Sequence, residues 1–428
     1  MTRFIRFKRS FEHIRFEAPV LIHSGNAFLP TTALVPLQQH EGSPAMPVVS
    51  AGERVREGQL LARGTSSDSA NIHAPIPGIL KEIRTVSLPD GKRGQAAVIS
   101  LSGSFDILGR KQEQFPWRLS PESEILRVLE DKGVINTFDH PVPLVPMLRA
   151  AKKTGDAVLA LRLFDYDPTC QLDSWLASEQ LRTVLEGTAI LAKSFDAKTV
   201  YLVHDDKAGK GPATKLIEEI FGARKVTVLQ GDKRYPSGNV RRFTHLLKEK
   251  APVLVDPVTA LSAYEAVVNN QPGLQRYVAI SGPALGSPAI LRVRVGTPIG
   301  DVIEECGGFR TDPSRIVVNG LLTGTALYDL DTPVTKYTKS LHIMDRDTCP
   351  SYTVRECIHC GRCLQVCPVS IDPMRTVYAI NRLKTEPAVL KSIAACQFCG
   401  CCAIVCPSRI PLHQIIREAA VRQKGTVK

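Results

Sequence analysis

Long apolar runs are missing from this 428-residue chain. No stretch approaches the roughly 18 uninterrupted apolar residues that a membrane-spanning helix needs. The nearest, such as Ala157 to Phe164, are short and carry charge. The opening residues, MTRFIRFKRSFEHIRF, lack the apolar core of a secretory signal, so a soluble or peripheral protein is expected. Cysteine is scarce at twelve residues, too few for a disulfide scaffold. With 43% hydrophobic and 22% charged residues, the composition excludes a disordered or fibrous protein. The length exceeds one comfortable core and implies about two to four domains.

The few cysteines are not scattered. Nine of the twelve lie between Cys357 and Cys406, eight of them in two runs of one pattern. Cys357-x2-Cys360-x2-Cys363-x3-Cys367-Pro368 is followed, at an offset of 39 residues, by Cys396-x2-Cys399-x2-Cys402-x3-Cys406-Pro407. This is the spacing of bacterial dicluster ferredoxins, in which the fourth cysteine of each run ligates the other cluster. A tight turn can aim three sulfurs at three irons of one cube, but the fourth iron faces away and is reached from elsewhere. The reading therefore assigns Cys357, Cys360, Cys363 and Cys406 to one [4Fe–4S] cluster, and Cys396, Cys399, Cys402 and Cys367 to the other. Structural zinc also uses CxxC pairs, but it has no need of the third x2 step or the trailing Cys-Pro. Cys349, Cys401, Cys170 and Cys306 read as packing residues. Asp372-Pro373 is a helix start, and Pro411 onward has helical periodicity, so helices separate and follow the cluster loops.

The 54 basic and 42 acidic side chains leave a net charge of +12. Two thiolate-bound clusters would offset part of it. The remainder suits an anionic membrane face, an acidic protein partner or a phosphate-bearing ligand; no nucleic-acid partner is expected.

Residues 34 to 80 alternate short β-rich pieces with turns. The stretch Gly52-Glu-Arg-Val-Arg-Glu-Gly58-Gln-Leu-Leu, with a later His73-Ala-Pro-Ile-Pro-Gly78 turn, resembles a lipoyl or biotinyl barrel-sandwich. The tip between Gly64 and Ala70 has no lysine to modify, so a structural or docking barrel is expected rather than a carrier. Phe4, Phe7, Phe11 and Phe16, interleaved with basic residues, read as an arm packed on that barrel. From about 120 to 265 strand-like runs (Asp156 to Phe164, Thr199 to His204, Lys225 to Leu229) alternate with helical ones (Leu176 to Leu191, Ala213 to Phe221). Such alternation predicts a parallel sheet with its crevice at the strands' carboxyl ends, where Asp165, Asp167, His204, Asp205, Asp206 and Asp232 fall. Residues 276 to 336 read as a β-grasp unit, with Thr297 capping a helix that has Pro298 at its first position.

This order of modules resembles the RnfC family, the RnfC subunits of Rnf ion-translocating electron transport complexes, which are relatives of the flavin subunit of NADH dehydrogenases. The points of likeness are Pro36 to Gly78, Tyr235-Pro-Ser-Gly238, Val258 to Val267, Arg276 to Gly282, Gly296-Thr-Pro298, Thr332-Pro-Val-Thr-Lys336 and the paired cysteine runs. The resemblance implies a multidomain α/β protein. Its expected parts are an arm and lipoyl-like barrel-sandwich (1–105), a Rossmann-like parallel α/β domain (106–270), an SLBB-like β-grasp (271–340) and an α-helical dicluster ferredoxin domain (341–428). It implies an electron-transfer subunit, peripheral on the cytoplasmic face of the inner membrane, whose partners are other redox subunits of an Rnf-type complex, a ferredoxin or a flavoprotein.

The chain departs from the family where FMN and NADH are held. The glycine-rich G-L-G-G-A-G-F-P loop is here Gly133-Val-Ile-Asn-Thr-Phe-Asp-His-Pro-Val-Pro143. Side chains occupy the phosphate space, Pro141 removes a donor and Asp139 repels an anion. Asp165 and Asp167 stand where the family has two glutamates, which makes them the residues expected at a degenerate nucleotide site. The reading is an RnfC-like relay with two [4Fe–4S] clusters, FMN and NADH doubtful, and no catalytic residue. An active FMN-dependent NADH-oxidising or cobalamin-reductase-like flavoenzyme, and a non-redox structural adaptor, are the alternatives.

Overall fold

A computed structural model describes residues 21–105, 115–153, 155, 157–205, 211–232, 235–249, 251–349, 351–382 and 386–426, with side chains described through 422. The four phenylalanines of the N-terminal arm and Asp206 lie outside the described residues.

Turn glycines and alternating apolar residues build the barrel. One sheet orders the strands Thr32–Pro36, Arg93–Leu101, Gly78–Ser87 and Arg54–Val55, and the facing sheet orders Met46–Pro47, Leu60–Arg63 and Ile72–His73. Leu61, Ile72, Ile76, Leu80 and Ile99 fill the space between, so period-two patterning places one face of each strand in a shared core. The lysine-free tip is tied to its own chain, where Asp68 accepts from the Ser43 amide and hydroxyl at 3.1 and 3.0 Å.

The middle unit is a four-stranded parallel sheet in the order Lys225–Gln230, Thr199–His204, Val158–Arg162 and Val253–Val255. Val158–Arg162 is buried throughout, as a central parallel strand covered on both faces must be. The stretch expected as a single helix is two, Leu172–Glu179 and Leu181–Ser194, joined at Gln180, whose φ of −118° lies outside the helical region. The second helix lies against Pro257–Val267, and a Cβ at Gly187 would sit 1.9 Å from the Ala260 carbonyl oxygen. Glycine permits that close approach.

The β-grasp unit forms a six-stranded mixed sheet, with Ile22–Asn26 next to Ala289–Arg294, then Gln275–Ser281, Ser340–Met344, Arg315–Val318 and Thr325–Leu327. Its outermost strand thus comes from the segment before the barrel, and its interior strand Ser340–Met344 crosses the expected boundary at 340. The helix begins at Ile299, with Pro298 in the capping position and no side-chain cap. Thr297 therefore does not cap it as expected; among the described residues its hydroxyl has no partner. Pairing of Pro298 with Pro333, and the Val334 amide on the Thr297 carbonyl, hold that residue outside the helix.

The C-terminal unit is helical: Arg362–Val366, Pro373–Asn381, Pro387–Ala395, Cys401–Ile404 and Leu412–Thr426. Asp372 caps as expected, accepting from the Arg375 amide at 3.0 Å with Pro373 following. Buried polar joints connect the units. Arg294 of the β-grasp sheet pairs with Glu57 of the barrel at 2.7 Å, both side chains nearly inaccessible. Lys336 donates to the carbonyls of Asn71 and Gly133 at 2.9 and 2.7 Å, joining three units.

Candidate functional site

The two cysteine runs fold against one another, with Val377, Val389, Ile393, Ile410, Leu412 and Ile416 as the core between them and Cys357, Cys363, Cys396 and Cys406 packed on its edge. Each run turns through a left-handed glycine, Gly361 or Gly400, into a short helix. Cys367, the last cysteine of the first run, lines the same small cavity as Cys396, Cys399 and Cys402 of the second. Among the described residues no three acidic, histidine or cysteine side chains converge as the ligands of a metal ion do, and no two cysteines are joined in a disulfide. Cysteines lining one small, largely apolar cavity fit a cubane cluster in donor chemistry. Cys401, out of register, is fully buried.

A second feature lies where the sheet, the barrel, the β-grasp turn and the second cysteine run meet. A cavity of about 270 Å³ opens beyond the carboxyl end of Val158–Arg162, lined among others by Phe138, Arg162, Asp165, Tyr166, Lys339 and Cys396. Its position is the one at which open α/β sheets bind ligands, but the loop that would hold a phosphate is occupied by its own side chains. The Thr137 amide donates to the Thr259 hydroxyl at 2.9 Å, and the Phe138 amide to Asn136 Oδ1 at 3.0 Å. Thr137 Oγ1 donates to Asp256, and Asn136 Nδ2 to the Leu254 carbonyl at 2.8 Å. The Phe138 ring is buried against Phe243. Amides already paired inside the protein are not available to an anion.

Arg162 completes the plug. Its guanidinium is 1% exposed and donates to the carbonyls of Phe164, Gly238 and Phe138 at 3.1, 2.8 and 3.1 Å. It also lies over the Phe138 ring at 4.1 Å and 3.6 Å from Asp173. Lys339 bridges Asp173 and Asp256 at 2.9 and 2.6 Å. Burial works to raise the Asp256 carboxyl, but Lys339 and its other donors hold it well below the usual range.

Asp165 and Asp167 both reach the cavity lining, yet their oxygens are committed. Asp165 accepts from the amides of Asp173 and Ser174 at 2.9 and 3.0 Å, capping Leu172–Glu179 from a distance. Burial, with Asp173 nearby, pushes its carboxyl up to about 7. Asp167 takes the Thr169 amide and hydroxyl on one oxygen, and the Leu322 amide and the Thr323 amide and hydroxyl on the other. It braces the Asn319 to Gly324 turn. These residues do not fit FMN held by open backbone amides. His204, Asp205 and Asp232 lie outside this lining. The sequence reading missed Arg162, Lys339, Asp173 and Asp256; an arginine ending the strand Val158-Leu-Ala-Leu-Arg162 was the available signal.

Tyr235 and Tyr166 dock the second cysteine run here. Tyr235 Oη donates to the Cys399 carbonyl at 2.7 Å, Tyr166 Oη to that of Gln397 at 3.5 Å, and the two rings stack at 6.0 Å.

Three family models match this chain: the RnfC barrel sandwich hybrid domain over residues 23–104, the SLBB domain over 277–326 and the 4Fe-4S dicluster domain over 356–410. The chain belongs to the RnfC family. The corresponding subunit of the proton-translocating ferredoxin:NAD(+) oxidoreductase complex of Clostridium ljungdahlii is 27% identical, with 81% of this chain and 78% of that one covered. That of the ion-translocating oxidoreductase complex of Methanosarcina acetivorans is 26% identical over 81% and 82% of the two chains. Its counterpart from Pseudomonas aeruginosa reaches 30%, with 80% of this chain and 46% of the longer relative covered. Among solved structures, a chain of an NAD+-reducing [NiFe]-hydrogenase in the H2-reduced state superposes with a TM-score of 0.51 at 13% identity. The match covers 76% of this chain and 68% of that one, a likeness of fold alone. As an RnfC-family protein with a dicluster domain, the chain carries two [4Fe–4S] clusters. Among the described residues no helix is long and apolar enough to cross a membrane.

Proposed function

We propose that this RnfC-family chain is the electron-transfer RnfC component of an ion-translocating ferredoxin:NAD oxidoreductase complex, peripheral on the cytoplasmic face and held there by its partner subunits. The observation that carries the reading is Cys367 of the first run lining one void with Cys396, Cys399 and Cys402 of the second. We assign those four to one cluster, and Cys357, Cys360, Cys363 and Cys406 to the other. Bound there, the clusters supply reversible one-electron transfer. The chain's own residues hold the second turn against the α/β unit through Tyr166 and Tyr235, and keep its surroundings apolar.

The parallel unit reads as a Rossmann-like scaffold whose nucleotide site is plugged by Arg162, Phe138 and the Asn136–Thr137 network. Anaerobically purified protein should contain about eight iron and eight sulfide per chain, retain no flavin, and show no bleaching with NADH in the presence of added FMN. Cys367→Ala and Cys406→Ala should each remove about half the iron, and redox-poised EPR should show a different cluster lost in each. A colourless, zinc-loaded preparation would refute the relay; tight stoichiometric FMN would refute the plug.

A further inference from the structure

The two cysteine turns are built alike. Gly361 and Gly400 have φ of 71° and 74°, and His359 and Phe398 have 54° and 50°. The 39-residue offset sets Ile358 on Gln397 and Arg362 on Cys401.

Their cover differs. The rest of the chain seals the second turn: Tyr235 Oη bonds the Cys399 carbonyl, a Cβ at Gly400 would lie 2.8 Å from the Leu322 carbonyl oxygen, and Cys401 is inaccessible. At the first turn a Cβ on Gly361 would meet nothing within 4 Å, Cys360 is exposed, and Ile358 is 68% exposed. Tyr352, Val354 and Leu364, close to it in sequence, are exposed as well. An apolar group of this size around a redox turn marks an interaction surface.

The rim has one sign of charge in excess. Arg355 and Arg362 are exposed, and the Arg355 amide bonds the Ser408 carbonyl at 3.0 Å, which brings Arg409 alongside. The Arg409 guanidinium lies 4.9 Å above the Tyr352 ring. Among the described residues none of these three arginines is in an ion pair; Glu356 is the one acid within the segment 351–364.

We propose that this face docks a separate acidic electron-carrier protein, whose apolar contact covers the first cysteine turn as Tyr235 and Leu322 cover the second. The inference rests on the relay reading and adds the surface and the partner's charge. A second copy of this chain related by a two-fold axis would set arginine against arginine, which like-charge repulsion disfavours. An acidic rim would neutralise Arg355, Arg362 and Arg409 and steer encounter in a salt-dependent way.

The test is titration calorimetry of the anaerobic holoprotein with an acidic bacterial 2[4Fe–4S] ferredoxin as probe, at low and at physiological ionic strength. Wild-type binding should weaken with salt. The double variant R355E/R362E, and separately I358E, should each raise Kd by roughly tenfold or more. K391E, on the helix Pro387–Ala395, should leave it unchanged. Iron content and cluster EPR of each variant identify any that fail to fold. Full iron with no ferredoxin binding, or with equal Kd in wild type, R355E/R362E and I358E, overturns the docking face alone. So does self-association of the wild type, or binding of the patch to anionic vesicles in place of the ferredoxin. Absence of iron removes the relay reading as well.

Discussion

Replacing Arg162 by methionine tests the plug most directly, because length and apolar packing are retained while the cation and its donors are lost. Wild-type Arg162 gives three hydrogen bonds to the carbonyls of residues 138, 164 and 238 and faces Asp173. A hydrogen bond from a charged donor contributes about 1.5–3 kcal/mol, and removing one partner of a buried ionic network costs about 3–5 kcal/mol. The terms overlap, since Asp173 keeps Lys339 at 2.9 Å, so a loss of about 3–5 kcal/mol is expected for the α/β unit. A domain of ordinary stability has only about 5–15 kcal/mol to lose. Four units make whole-chain melting a poor readout. Native-state hydrogen exchange at the Val158–Arg162 amides reports the local opening free energy instead. Arg162→Lys keeps the charge without the planar fork and should fall between wild type and methionine. A change under about 1 kcal/mol in the methionine variant, or stoichiometric FMN uptake by wild type, would refute the claim that this arginine stands in for a ligand.

Other consequences are quicker to check. Asp167→Ala leaves amides at 169, 322 and 323 without their acceptor and should cost about 2–4 kcal/mol, seen as faster exchange in the 319–324 turn. Gly187→Ala drives a Cβ into the Ala260 carbonyl and should destabilise the helix pair by about 1–3 kcal/mol in urea unfolding. His40 is buried and His73 half-buried, and with Lys336 nearby their loss of solvent lowers their folded values to about 4 and about 3. The unfolded chain therefore binds protons first as pH falls below about 6.5. Stability contributed by these groups is present above that pH and is lost toward their folded values, by up to about 1.4 kcal/mol per pH unit each. Urea midpoints should drop from pH 7 to 4.5, and His40→Gln/His73→Gln should flatten the slope.

Much was legible in residue order. The spacing of eight cysteines dictates which thiols a tight turn can group, and glycine and alternating apolar residues dictate barrel strands, because both are local consequences of backbone geometry. The scarcity of glycine between Gly133 and Pro143 led to the expectation of a loop that does not cradle phosphate. What filled it could not be read from sequence, since Arg162, Phe138, Thr137 and Asp256 meet only when strands 158–162 and 253–255 pair in parallel. Asp165 and Asp167 illustrate the same limit. Their position after a strand suggested ligand contact, while tertiary folding gave their oxygens to amides at 173–174 and 322–323. The alternation of residues also could not show that Ile22–Asn26 leaves the barrel for another sheet, because a strand's period is the same whichever edge it joins. Residue order by itself determined how the thiols are grouped along the chain; only the folded chain decided that one cysteine turn is sealed and its twin left open, since cover depends on what distant segments bring alongside.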